Sequence, residues 1–119
     1  MSEKLDRLIE QAYLWEMATV AKQKTNLKVL VYISPKQGSH GPRIKFLNDY
    51  GNRMIPEKLV SMTIEDEPRI IDTKNKIVIS QTDLDKLKQW VILNKQVLLD
   101  LWNHKFNDES DAIQVLQKI

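Results

Sequence analysis

The sequence predicts an α+β fold: a small, mostly antiparallel sheet with helices packed on one face. Three observations predict it. Short apolar and β-branched runs, separated by glycine, proline and asparagine turns, occupy the middle of the chain from Lys28 to Ile79. A long amphipathic stretch follows, from about Thr82 to His104. A shorter one leads, from Ser2 to about Val20. With 119 residues, 42% hydrophobic and 29% charged, the chain has the size and composition of one folded domain with a modest core. Residues 1–119 are therefore expected to form a single domain.

The elements follow in order. Leu5, Leu8, Ile9 and Ala12 recur at helical spacing, with Ser2 as the N-cap, so the first helix is expected over Ser2 to about Val20. Val29 to Ile33 is a continuous apolar run, expected as a buried strand within Lys28 to Ser34. Pro35 to Pro42 connects it to Arg43–Leu47. There Ile44 and Phe46 alternate with Arg43 and Lys45, which places the two cations on the face away from the core. Asn48 to Asn52 carries turn residues. Leu59 to Ile64 is a third strand, with Val60, Met62 and Ile64 on one face. Arg69–Ile71 and Ile77–Ile79 are expected as a short hairpin around Thr73–Lys76. In the C-terminal helix Leu84, Leu87, Val91, Leu98 and Leu101 form the stripe, capped by Ser80 or Thr82. A short last helix carries Ala112, Val115, Leu116 and Ile119.

Composition narrows the function. There is no cysteine, which removes disulfides and thiolate metal sites. Only His40 and His104 offer imidazole, so neither a metal nor a cofactor is expected. No segment is apolar for the roughly 18 residues that a membrane span requires, and Met1 to Glu10 lacks the apolar run of a signal peptide. A cytoplasmic protein without a membrane partner is expected. The net charge of +2 is small but unevenly placed. Seven basic residues stand against Asp49 alone between Ala21 and Pro56, a balance of +6 that leaves −4 for the remainder. Such a basic middle suits phosphate or an acidic partner.

In the order strand, glycine- and histidine-bearing loop, strand and long helix, the chain resembles the small bacterial family DUF4160. The pieces that carry the likeness are Val29–Ser34, Ser39-His40-Gly41-Pro42-Arg43-Ile44-Lys45-Phe46 and Asn94-Lys95-Gln96-Val97-Leu98-Leu99-Asp100-Leu101-Trp102. They span about residues 28–106. Where the family has two histidines separated by one residue, this chain has Arg43 and Lys45. The resemblance implies a toxin–antitoxin or phage–host conflict setting, without a mechanism.

His40, Arg43 and Lys45 have the chemistry of a phosphate-handling site, an acid or base beside two cations. Turn geometry alone also accounts for a Gly-Ser-His-Gly-Pro segment. Tyr50, in a polar turn near Arg53, is the best candidate for an exposed stacking aromatic. Trp90 and Trp102 are expected in the core. Together these residues predict a non-enzymatic binding protein. Its partner is nucleic acid or a nucleic-acid-binding protein, contacted through Lys36, His40, Arg43, Lys45, Tyr50 and Arg53. The alternatives are a metal-independent ribonuclease toxin using His40, Arg43 and Lys45, and a small protein inhibitor of a nuclease complex. No catalytic residue is assigned. Walker-type, dinucleotide-binding and serine-hydrolase motifs are absent.

Overall fold

In the computed structural model, which describes residues 17–36, 41–71, 73 and 75–119, five strands form one antiparallel sheet in the order of the sequence. They are β1 (Ala18–Val20), β2 (Val31–Ile33), β3 (Arg43–Leu47), β4 (Leu59–Thr63) and β5 (Ile70–Ile71). The described helices are α1 (Lys22–Thr25), α2 (Gln81–Leu93), α3 (Lys95–Trp102) and α4 (Glu109–Val115), with a 3-10 turn at Pro56–Lys58. The fold is α+β, as the sequence predicts.

The register explains which residues are buried where. Val20 faces Val31, Val31 faces Phe46, Phe46 faces Val60, and Met62 faces both Ile44 and Ile70. These side chains share one face, because successive residues of a strand point to opposite sides. The helices supply the other half of that core: Leu84, Leu87, Trp90 and Val91 from α2, Leu98 and Leu101 from α3, and Ala112 from α4. The opposite face of the sheet carries the intervening residues. Tyr32, Lys45 and Ser61 align across β2, β3 and β4, and a smaller apolar cluster gathers at Leu30, Tyr32 and Leu47.

The structure corrects several boundaries, each for a local reason. Ala18–Val20 is a strand, not the end of a helix. Thr19 and Val20 are β-branched and pair with Tyr32 and Val31, which satisfies their backbone groups in the sheet. The rest of the expected first helix, through Glu16, lies outside the described residues. Ile77–Ile79 forms no strand. The side chain of Asn48 occupies that backbone instead, donating to the Lys76 carbonyl at 2.8 Å and accepting from the Val78 N–H at 2.9 Å. The long C-terminal helix is two helices. Asn94 separates them, and its amide donates to the carbonyls of Trp90 and Gln117, both at 3.0 Å. Its Oδ1 accepts from the Gln117 N–H at 2.7 Å, so this buried residue ties the C-terminal segment to the helix junction. The last helix runs from Glu109 to Val115, so Leu116 and Ile119, expected on it, lie beyond its end; Asp108 caps its start by accepting from the N–H groups of Ser110 and Asp111.

Candidate functional site

The antiparallel register sorts the basic segment into two groups. Connections β1–β2 and β3–β4 leave the sheet at one end, where Val20 faces Val31 and Leu47 faces Leu59. That end carries Lys22, Lys24, Lys28, Tyr50 and Arg53. The β2–β3 connection lies at the other end, with Lys36 and Arg43. Five residues of β3 separate the two ends, a span of roughly 17 Å. Lys45 sits between them on the face away from the helices. Of the six predicted contact residues, the five described ones, Lys36, Arg43, Lys45, Tyr50 and Arg53, are therefore not gathered in one place. His40 lies outside the described residues.

Tyr50 organises the first end. Its hydroxyl donates to Asp83 Oδ2 at 2.6 Å and accepts from the Ser80 N–H at 2.8 Å. Ser80 is the N-cap of α2: its Oγ accepts from the Asp83 N–H at 3.1 Å and donates to Asp83 Oδ2 at 2.9 Å. In an ordinary capping box the acidic side chain would reach back to the N-cap N–H directly. Here the tyrosine hydroxyl is inserted between the two. It relays that hydrogen bond and ties the β3–β4 connection to the start of α2. The Tyr50 carbonyl also accepts from Lys22 Nζ at 2.8 Å. The residue remains 45% exposed although its hydroxyl is committed internally.

The electrostatics follow from this arrangement. The Tyr50 and Ser80 hydroxyls hold the Asp83 carboxyl below the usual carboxylate range, with the nearby charges of Lys28 and Lys86 adding to the effect. Asp83 is 8% exposed. Asp49 is held down first by the hydrogen bond from Lys58, at 2.6 Å, and then by the Gly51 N–H. Lys28 and Lys86 are exposed beside this network, Lys22 is half-buried at the Tyr50 carbonyl, and Arg53 is exposed further along the β3–β4 connection. Sequence reading alone does not find Lys86 as a member, because it arrives on α2 from another part of the chain.

The other end is more mixed in charge. Arg43 Nε donates to the Gly41 carbonyl at 3.4 Å. The backbone of Lys36 donates to the Trp102 carbonyl at 2.9 Å, and its carbonyl lies 3.2 Å from His104 Nε2. Arg69 pairs with Glu65 at 3.3 Å, Lys95 with Asp66 at 2.7 Å and Lys105 with Asp100 at 3.6 Å. Among the described residues no group of three or more histidine or acidic side chains could hold a metal ion. No helix among them is long and apolar enough to cross a membrane.

The Tyr50 relay makes a pH prediction. Asp83 has a lowered folded pKa, so its stabilisation is present above the unfolded carboxylate range and lost as pH falls through the folded value. Tyr50→Phe removes the largest cause of the lowering. The folded pKa of Asp83 then rises, and acid unfolding, followed by circular dichroism, is expected at higher pH than in the parent. An unchanged acid midpoint would show that the relay does not hold the carboxylate.

No protein-family model, curated protein or solved structure matches this chain.

Proposed function

We propose that this protein is a non-enzymatic binding protein that contacts nucleic acid through the basic end of its sheet. The observation that carries the reading is the convergence of Lys22, Lys28 and Lys86, from two separate segments, on the network of Tyr50 and Asp83, with Arg53 exposed on the same connection as the half-exposed Tyr50. Cations on an otherwise nearly neutral chain give phosphate contacts, and an exposed aromatic side chain gives a surface on which a base can stack. The acids at this end offset only part of the charge. Asp49 is paired with Lys58, and Asp83 is enclosed by the hydroxyls of Tyr50 and Ser80. The likeness to DUF4160 suggests that binding serves a toxin–antitoxin or phage–host conflict in the cytoplasm.

The test is fluorescence anisotropy with labelled RNA and DNA across a range of salt, with the RNA run on a gel afterwards. Three or four phosphate contacts give a slope of log affinity against log salt of roughly −2 to −4. Lys28→Ala and Arg53→Ala are each expected to weaken binding to all sequences and to lower the slope magnitude by about 1. Tight, salt-insensitive binding would oppose the reading, and cleaved RNA would replace it with a nuclease. Absence of nucleic-acid binding together with capture of a nuclease subunit would replace it with an inhibitor.

A further inference from the structure

The segment 76–80 has the apolar composition of a strand, yet side chains rather than a neighbouring strand hold its backbone. Asn48 Nδ2 donates to the Lys76 carbonyl at 2.8 Å, and Asn48 Oδ1 accepts from the Val78 N–H at 2.9 Å. One carboxamide thus fills the place that a peptide group of an adjoining strand would take. Further along, the Tyr50 hydroxyl accepts from the Ser80 N–H at 2.8 Å. Asn48 is buried, so the grip on Val78 is anchored inside the protein. Ile77 and Ile79 turn inward and pack on the main core. Val78, between them, turns outward and is 64% exposed, the most exposed large hydrophobic residue among those described. Two residues of chain span at most about 7 Å, so the hydrogen bond to Ser80 keeps the Tyr50 hydroxyl within about 10 Å of the Val78 backbone.

We infer that Val78 and Tyr50 together form a contact for unpaired bases, so that the ligand of the basic end is a single-stranded nucleic acid and not a duplex. The inference rests on the nucleic-acid reading above and names the class of strand. The uncharged part of this surface is apolar. A duplex offers phosphates and groove edges and keeps its base faces stacked inside, whereas a single strand offers those faces to aromatic and apolar side chains. The gap between Tyr50 and Val78 is one that neighbouring nucleotides of a strand bridge. Cations for the phosphates adjoin both residues. Lys22 reaches the Tyr50 carbonyl, Lys28 and Lys86 lie near Asp83, and Lys76 is exposed shortly before Val78. The helix that begins here is ill suited to a major groove, because Asp83 and the exposed Asp85 stand near its start and repel phosphate. Asn48 is a positioning residue: it holds Val78 in place before a strand arrives, which lowers the ordering cost of binding. Phosphate contacts alone favour the duplex, whose charges are denser. A preference for single strands therefore reports the base contacts.

The test compares a labelled single-stranded oligonucleotide, as RNA and as DNA, with the same labelled strand in a fully paired duplex, by anisotropy on the full chain at low salt. The single strand is expected to bind at least about tenfold tighter. Val78→Ser leaves the core intact because the side chain is exposed, and a circular dichroism melt checks that the fold is kept. It is expected to weaken single-strand binding about threefold to tenfold with an unchanged salt slope, since no phosphate contact is lost. Lys28→Ala lowers that slope instead. Duplex binding as tight as single-strand binding would overturn the inference and leave the nucleic-acid reading standing. So would a Val78→Ser protein that binds single strands as the parent does. Absence of binding to every probe would overturn the nucleic-acid reading, and this inference with it.

Discussion

Trp90→Ala is expected to remove about 3–5 kcal/mol of stability. The whole fold of a domain this size is stabilised by about 5–15 kcal/mol, so the variant is expected to be largely unfolded in mild urea. Trp90 is fully buried on α2, within the cluster that joins the helices to Val31, Phe46 and Met62. Alanine leaves a cavity that a close-packed interior does not refill. A second substitution separates packing from polarity. Among the described residues the Trp90 indole N–H has no hydrogen-bond partner, and an unmet buried donor costs about 1–3 kcal/mol. Trp90→Phe keeps most of the ring and removes that donor. Its loss in urea unfolding is expected to be less than about half that of Trp90→Ala. Equal losses would mean that the indole N–H is satisfied in solution.

Asn94→Ala is expected to cost about 2–4 kcal/mol, a large effect for a polar side chain. Asn94 is 2% exposed and spends its amide on both backbone groups of Gln117 and on the Trp90 carbonyl. Alanine keeps the helix junction but releases the segment from Leu116 to Ile119. That segment otherwise holds Leu116 in the core and brings the Ile119 N–H to the Thr25 carbonyl at 3.0 Å. Hydrogen exchange should accelerate at the amides of Gln117 and Ile119 before it does in β3. A uniform loss of protection across the sheet would place Asn94 in the global core rather than in a local clasp.

The parts of the fold legible in the sequence are those with a strong period. Arg43–Leu47 and Leu59–Thr63 alternate cleanly, and the sheet they form decides the fold class. Of the two caps the sequence offers, Ser80 and Thr82, the structure uses Ser80, whose side chain bonds locally within one turn of α2. The misread elements depend on partners far away in sequence. Ala18–Val20 is helical by continuity with the stripe before it, and a strand only because β2 stands beside it. Ile77–Ile79 has the composition of a strand, but Asn48 holds its backbone from about thirty residues away. The helix break at Asn94 rests on its bonds to Gln117, which no local pattern announces.

The candidate site divides the same way. Nearness in sequence groups Lys36, His40, Arg43, Lys45, Tyr50 and Arg53, whereas an antiparallel meander sends alternate connections to opposite ends and so separates the described members of that group. Tyr50 was legible as a surface aromatic, and the residue is half-exposed. Its hydroxyl is bound to Asp83 and Ser80, a role that needed the arrival of α2 to be seen. Lys86 joins the basic end for the same reason.

The most direct measurement is anisotropy of labelled RNA and DNA at low salt with two charge-reversed proteins. One carries Lys28→Glu with Arg53→Glu at the basic end, and the other carries Lys36→Glu at the opposite end. The account predicts that the first loses binding and that the second keeps nearly all of it. Equal loss in both, or no binding by the parent protein, would contradict it.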